Sequence, residues 1–290
     1  MATIQWYPGH MAKAKRQVAE KLKLVDVVFE LVDARLPESS RNPVLDEIIQ
    51  HKPRILILNK SDLADRRATQ QWISYYEKQG IPAIPIVAQE GKGMKEITAK
   101  AQELMKPKFD RMAEKGMKPR PIRAMSIGIP NVGKSTLINR LVKKNIAKTG
   151  NKPGVTKAQQ WLKLGKEIEL LDTPGILWPK FEDPAIGKKL ALTGAIKDTL
   201  LNIDDIVLYG LNFLKENHPD ALAKRYNLDK EDLNLSDAEL LMLISEKRNF
   251  RDDYERAAEM VLHEIRSGKI SPFTLDVVPV SLSEGDSEND

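Results

Sequence analysis

Gly128-Ile129-Pro130-Asn131-Val132-Gly133-Lys134-Ser135 decides the fold of this chain. The run fits the phosphate-loop pattern G-x-x-x-x-G-K-[ST] without exception. Ile122 to Ile127 before it reads as a short strand. Thr136 to Lys144 after it reads as an amphipathic helix with Leu137, Leu141 and Val142 facing inward. A strand, a glycine turn and a helix N-terminus together make an anion site, because backbone N–H groups and the helix dipole both favour negative charge there. The glycines let the backbone wrap phosphates where a Cβ would clash. Val132, Gly133, Lys134, Ser135 and Thr136 are therefore the candidate phosphate-binding residues. Lys134 would reach the β- and γ-phosphates and the Ser135 hydroxyl would ligate Mg²⁺. The bland alternative is a glycine-rich turn before an ordinary helix.

Upstream, Arg54-Ile55-Leu56-Ile57-Leu58 is an apolar run of buried-strand length that delivers Asn59-Lys60-Ser61-Asp62 at its C-terminal end. Ligands of open α/β sheets bind at that end of the strands. The tetrapeptide resembles the N-K-x-D element of the GTPase superfamily, and the resemblance implies a role for each residue. Asp62 would accept hydrogen bonds from the guanine N1–H and exocyclic amine, a donor pair that adenine lacks, so ATP would leave polar groups unpaired. Asn59 would tie this loop to the phosphate loop, and the Lys60 stem would pack on the base. Standing alone, the four residues read equally well as a polar turn. A further strand, Ala83 to Val87, ends in Ala88-Gln89-Glu90-Gly91. This is similar to the S-A-K element, in which a backbone N–H contacts the guanine O6. Val87 and Gln89 depart from that pattern, so only Ala88 carries over.

Downstream, Glu167 to Leu171 reads as a third apolar strand, followed by Asp172-Thr173-Pro174-Gly175, which matches D-x-x-G. Asp172 would hold Mg²⁺ through water and the Gly175 N–H would sense the γ-phosphate. A strand-ending turn is the competing reading. In the loop from Gly150 to Thr156, Thr156 is the candidate switch threonine completing the Mg²⁺ shell, ahead of Thr149 and Thr173. Catalysis departs from the usual arrangement. Ras-like proteins place a glutamine just after D-x-x-G to orient the attacking water, whereas Ile176 stands here. An aliphatic side chain can neither donate to water nor accept from it. His10, in Trp6-Tyr7-Pro8-Gly9-His10-Met11, is the candidate replacement, because histidine positions or deprotonates water near neutral pH. A surface or RNA-contacting histidine is the alternative. Asn131 is a candidate K⁺ ligand beside the phosphates, where the cation would supply the charge that an arginine finger supplies elsewhere.

The order of these elements is reversed relative to most GTP-binding proteins, since Asn59 precedes Gly128. Pro8-Gly9-His10-Met11 with Lys13-Ala14, then Asp33-Ala34-Arg35-Leu36-Pro37, N-K-S-D, G-I-P-N-V-G-K-S and D-T-P-G follow one another along the chain. On these motifs, which cover about residues 1–180, the chain resembles the circularly permuted GTPases of the YlqF/YawG family. The resemblance implies an α/β fold: a circularly permuted Ras-like P-loop GTPase domain over residues 1–180, followed by a small all-α domain. It also implies ribosome-stimulated GTP hydrolysis assisting late assembly of the large ribosomal subunit, with the subunit precursor and its rRNA as partners. His10 would then take over from the missing glutamine, acting with Lys134 and Asn131, while Ser135, Thr156 and Asp172 hold Mg²⁺.

Composition bounds the rest. The absence of cysteine excludes disulfides and thiolate metal sites. No apolar run reaches the roughly 18 residues that span a membrane, and the opening residues do not read as a signal peptide. A cytoplasmic monomer is expected, with neither DNA nor membrane as partner. The net charge of +5 is compatible with RNA. Lys13, Lys15, Arg16, Lys21 and Lys23 form one basic cluster, and Lys106, Lys108, Arg111, Lys115, Lys118, Arg120 and Arg123 another. A solvated helix face is the alternative for each. Residues 181–278 read as a helical RNA- or ribosome-binding domain, with helices near Leu200–Leu211, Ala238–Ile244 and Tyr254–Ile265. Lys215, Lys224, Arg225, Lys247, Arg248, Arg251, Arg256 and Arg266 decorate it, and a structural or dimerising bundle is the alternative. Residues 279–290 read as an acidic disordered tail. For the whole chain the second reading is a slow nucleotide-dependent binding module acting on tRNA or other cellular machinery, which Ile176 favours.

Overall fold

Three long apolar runs build the centre of the protein. β1 (Val27–Asp33), β2 (Arg54–Asn59) and β4 (Ile122–Gly128) are buried almost throughout, as strands covered on both faces require. With β3 (Ala83–Ile86), β5 (Trp161–Leu164) and β6 (Ile168–Asp172) they form a six-stranded sheet ordered β3-β2-β1-β4-β6-β5. All neighbours run parallel except β5, which is antiparallel to β6. This computed structural model describes residues 16, 18–49, 51–142, 161–172, 183–251 and 253–279.

Both faces of the sheet carry helices. Phe29, Ile57, Ala124 and Leu170 pack in one cluster with Ile97 and Ala101 of α3 (Met94–Glu114) and Leu137 and Ile138 of α4 (Lys134–Val142). On the other face Val28, Met125 and Leu171 meet Leu45 and Ile49 of α1 (Pro43–Ile49). Beside them Val32, Leu56 and Leu58 meet Trp72, Ile73 and Tyr76 of α2 (Arg66–Lys78). α4 starts at Lys134, two residues before the expected position, and buries Ile138 more deeply than Leu141 or Val142. The helix begins where the glycine turn ends, so its first turn belongs to the loop.

Renumbered from β4, the sheet order reads 2-3-1-4-5-6. β4 and β1 lie side by side where the connections change direction, which is where open α/β sheets bind their ligands. The permutation therefore alters where the chain enters the sheet and leaves the crevice in place.

Residues after β6 build a bundle of α5 (Pro184–Leu192), α6 (Ile203–Asn217), α7 (Pro219–Tyr226), α8 (Asp237–Lys247) and α9 (Tyr254–Arg266). The caps explain the starts. Asp183 accepts from the Ala185 N–H at 2.8 Å ahead of Pro184, Ser236 and Glu239 form a capping box, and Asp253 accepts from the Arg256 N–H at 3.1 Å. α9 buries Ala257, Ala258, Val261, Leu262 and Ile265 along one stripe. Leu200, expected on the first helix of the bundle, lies instead in a 3-10 turn and is 50% exposed. α5 and α7 were not expected as separate helices.

The chain then leaves the bundle. Residues 271–279 have no helix and lie as a strap across the first unit. The Phe273 N–H donates to the Leu63 carbonyl at 3.1 Å, and the Leu275 N–H to the Arg35 carbonyl at 2.9 Å. The Trp72 indole N–H donates to the Asp276 carbonyl at 3.2 Å. The Asp276 carboxylate accepts from the Ser39 N–H at 2.7 Å and from Lys189 at 2.8 Å. One apolar cluster runs from the sheet into the bundle through Leu36, Phe273 and Leu275. No helix among the described residues is long and apolar enough to cross a membrane.

Candidate nucleotide site

The phosphate loop closes tightly against its neighbours. Gly128 has φ +151°, and a Cβ there would stand 2.5 Å from the Leu31 carbonyl oxygen of β1. Gly133 has φ +100°, and its Cβ would fall on the Asn59 side-chain amide. Both positions require glycine for lack of space as well as for backbone conformation. Asn131 between them is left-handed, at φ 58°, which asparagine tolerates better than most residues. Lys134 is buried, its ammonium donating to the Gly128 carbonyl at 3.0 Å and the Ile129 carbonyl at 2.7 Å. That holds a cation inside the curve of the loop. Ser135 and Thr136 are half-buried in the first turn of α4, among the N–H groups that a helix start leaves unpaired. Backbone donors, one cation and a hydroxyl are the groups a polyphosphate and its divalent ion need.

Asn59 joins this loop to the base-reading loops. It ends β2 and is 3% exposed. Its amide nitrogen donates to the Val132 carbonyl at 2.7 Å, and its amide oxygen accepts from the Ala88 N–H at 3.0 Å. The expected tie to the phosphate loop is present. The Ala88 N–H, expected to face the guanine O6, is instead bonded to Asn59. A buried amide oxygen has to find a donor, and Ala88 is the donor within reach. Ser61 fastens the same turn to β3, its N–H and hydroxyl donating to the Ile86 carbonyl at 3.1 and 3.0 Å. Asp62 is exposed at the mouth of the loop.

Lys60 is left-handed at φ 60°, and its ammonium donates to Asp33 Oδ2 at 2.9 Å. Asp33 ends β1 and is also gripped by Arg35, whose Nε donates to Oδ1 at 2.9 Å and whose Nη2 donates to Oδ2 at 2.7 Å. Burial alone would raise the Asp33 carboxyl. The Arg35 and Lys60 charges outweigh it and hold the group well below the usual carboxylate range. The sequence motif Asp33-Ala34-Arg35 carried no assigned role. The available signal was two charged residues, Asp33 and Arg35, at the C-terminal end of a mostly apolar run.

Of the other expected site residues, Asp172 ends β6 in register with Ser126 of β4, beside the strand that feeds the phosphate loop. His10, Thr149, Thr156, Thr173, Gly175 and Ile176 lie outside the described residues. Several of the cations expected to face RNA also brace the fold. Lys108 and Arg120 converge on the buried Asp26 at 2.6 and 2.7 Å, and Arg225 pairs with the buried Glu264. Arg266 donates to the Leu192 carbonyl at 3.1 Å and the Ala191 carbonyl at 2.7 Å. Arg111, Lys115, Lys118, Lys224, Arg251 and Arg256 stay exposed. A hollow lined by Pro53, Met105, Lys108 and Met117 lies near the start of β2, at the opposite end of the strands from the phosphate loop. It does not touch the nucleotide crevice.

A family model described as a 50S ribosome-binding GTPase matches residues 123–275. The Ribosome biogenesis GTPase A of Priestia megaterium is 61% identical over 282 residues, covering 94% of this chain and 96% of that protein. The protein of the same name from Bacillus cereus is 59% identical over 280 residues, covering 94% and 93%. A crystal structure of GNP-bound YlqF from T. maritima superposes with a TM-score of 0.61 at 27% identity, over 91% of this chain and all of that one.

Proposed function

Because the chain belongs to the ribosome biogenesis GTPase A family of circularly permuted GTPases, we propose that it docks on a precursor of the large ribosomal subunit and hydrolyses GTP there during late assembly. The observation that carries this reading is the Asn59 amide, which holds the phosphate loop and a second base-side loop at once although Asn59 precedes both in the chain. The permuted order thus yields one nucleotide site rather than two fragments.

The expected roles follow from the crevice. Asp62 reads the guanine edge. The N–H groups of residues 132–136 face the phosphates, and Lys134 swings from its loop carbonyls onto the β- and γ-oxygens. Ser135, Asp172 and Thr156 would hold Mg²⁺, which would supply positive charge to offset that developing on the phosphates. His10 takes the place that Ile176 leaves without a polar group and orients the water that attacks the γ-phosphorus. Asn131 offers its amide oxygen to K⁺, since its amide nitrogen donates to the Gly194 carbonyl at 3.0 Å. Residues 1–180 act as the GTPase unit and residues 181–278 as the docking unit, with Lys224, Arg251 and Arg256 among the exposed cations that meet rRNA phosphates. A monomer working in the cytoplasm completes the proposal.

GTP turnover with and without large-subunit precursor particles tests it. Turnover should rise on adding the particles, and an unchanged slow rate would favour the nucleotide-dependent binding module. His10→Ala should bind GTP nearly as well as the parent and lose the stimulated turnover; intact stimulation would remove His10 from the mechanism. Replacing K⁺ by Na⁺ should slow hydrolysis, and equal rates would remove K⁺.

A further inference from the structure

Two holds on the guanine-reading loop, one through Arg35 and one through the strap, connect it to residues that come after the nucleotide motifs in the chain. The first hold is Arg35, which is 1% exposed. Its guanidinium fixes Asp33, the acceptor for the Lys60 ammonium. Its remaining donors leave the first unit: Nη2 reaches the Thr193 carbonyl at 3.2 Å and Nη1 the Arg266 carbonyl at 3.3 Å. These carbonyls belong to the ends of α5 and α9, where backbone acceptors have no partner within the helix and a cation is favoured by the helix dipole. The second hold is the strap, which also bonds the Arg35 carbonyl through the Leu275 N–H. It holds Leu63 through Phe273, and the Thr274 hydroxyl accepts from the Asp65 N–H at 3.2 Å. Asn59 to Asp65 is therefore linked to the ends of α5 and α9 through Asp33 and Arg35, and directly to the strap, all parts of the C-terminal half.

We propose that Arg35 is a positioning residue for guanine recognition, and that with the strap it makes the helical bundle a determinant of nucleotide residence time. Through Asp33 it sets where the Lys60 ammonium, and so the stem that lies along the base, can stand. Through Thr193 and Arg266 it ties that setting to the bundle. A partner that shifts the bundle loosens the base loop and speeds release, and reciprocally a bound guanine nucleotide stiffens the bundle's seat. This rests on the guanine site proposed above. It differs from γ-phosphate sensing in one measurable respect: the base is common to GDP and GTP, so both are affected alike.

The test is stopped-flow release of fluorescent GDP and of a fluorescent non-hydrolysable GTP analogue from the full chain, below its melting transition. Three variants are compared with the parent. Arg35→Lys keeps the charge and loses the fork. Thr274→Val removes only the hydroxyl that holds Asp65. Asp62→Ala is the control for the guanine site. Arg35→Lys and Thr274→Val should each release both nucleotides about fivefold faster, the effect of one net hydrogen bond, and saturating GDP should raise their Tm less than it raises the parent's. A purely structural role would lower Tm and leave the release rates alone. Unchanged release in both variants, with Asp62→Ala accelerated, overturns the proposal and spares the guanine site. Acceleration confined to the GTP analogue also overturns it. No effect of Asp62→Ala would overturn the guanine site itself. If Arg35→Lys does not fold, Thr274→Val decides.

Discussion

One amide carries more of the site than any other side chain. Asn59 satisfies a carbonyl of the phosphate loop and an N–H of the Ala88 loop, both buried. Asn59→Ala leaves both without that partner, at about 1–3 kcal/mol for each. A fluorescent GDP titration should therefore show affinity at least about tenfold weaker, and an unchanged affinity would separate the two loops from the site. Gly133→Ala acts from the opposite side, because its Cβ lands on that same amide at a φ of +100°. GTP binding should be lost with the fold retained by circular dichroism. Acid should reveal a different pair of residues. Asp26 and Asp33 are both buried, which by itself would raise their carboxyls, yet Arg120 with Lys108 and Arg35 with Lys60 outweigh burial and hold both low. Groups with depressed folded values stabilise fully above their unfolded pKa, about 3.9, and lose that stabilisation as pH falls toward the folded value. The urea midpoint should fall below about pH 4, less steeply in Asp26→Asn. A midpoint that stayed flat in acid would mean the two carboxylates contribute no net stability.

Elements differ in how much of themselves they announce. The strand, turn and helix around Gly128 were legible because anion binding needs those groups contiguous, and β2 because a buried parallel strand must be apolar throughout. β5 escaped notice, being four residues long with alternate residues exposed at a sheet edge. α5 and α7 are short and each opens on proline, which reads equally well as a loop. The strap had no local signal at all. Asp276 meets Ser39 and Trp72 across 237 and 204 positions of sequence, and no periodicity encodes such partners. The cations of the bundle show the same limit, for sequence supplied the charge of Arg225 and Arg266 but not the Glu264 carboxylate or the α5 carbonyls that use it. α9 was legible from its stripe, and it should behave as the core of the bundle. Leu262→Ala should cost about 2–5 kcal/mol in urea unfolding. A loss below about 1 kcal/mol would show that the site collapses around the deletion.

Across the whole molecule the permutation becomes a statement about connections. In an unpermuted order the strand after D-x-x-G would return the chain to the sheet. Here the next described element after β6 is α5, so the segment proposed to sense the γ-phosphate lies in the chain between the sheet and the bundle. The far end of α5 then meets the nucleotide site again, with Arg35 on Thr193 and Asn131 on Gly194. A helix that follows the proposed phosphate-sensing segment in the chain, with its end on Arg35 and on the phosphate loop, would carry nucleotide state into the proposed docking unit without an intervening strand. The most direct test is sedimentation of the full chain with large-subunit precursor particles, in a non-hydrolysable GTP analogue and in GDP. Binding should be about tenfold tighter with the analogue, within the usual range of coupling between two sites. Equal affinity in the two nucleotides would contradict it.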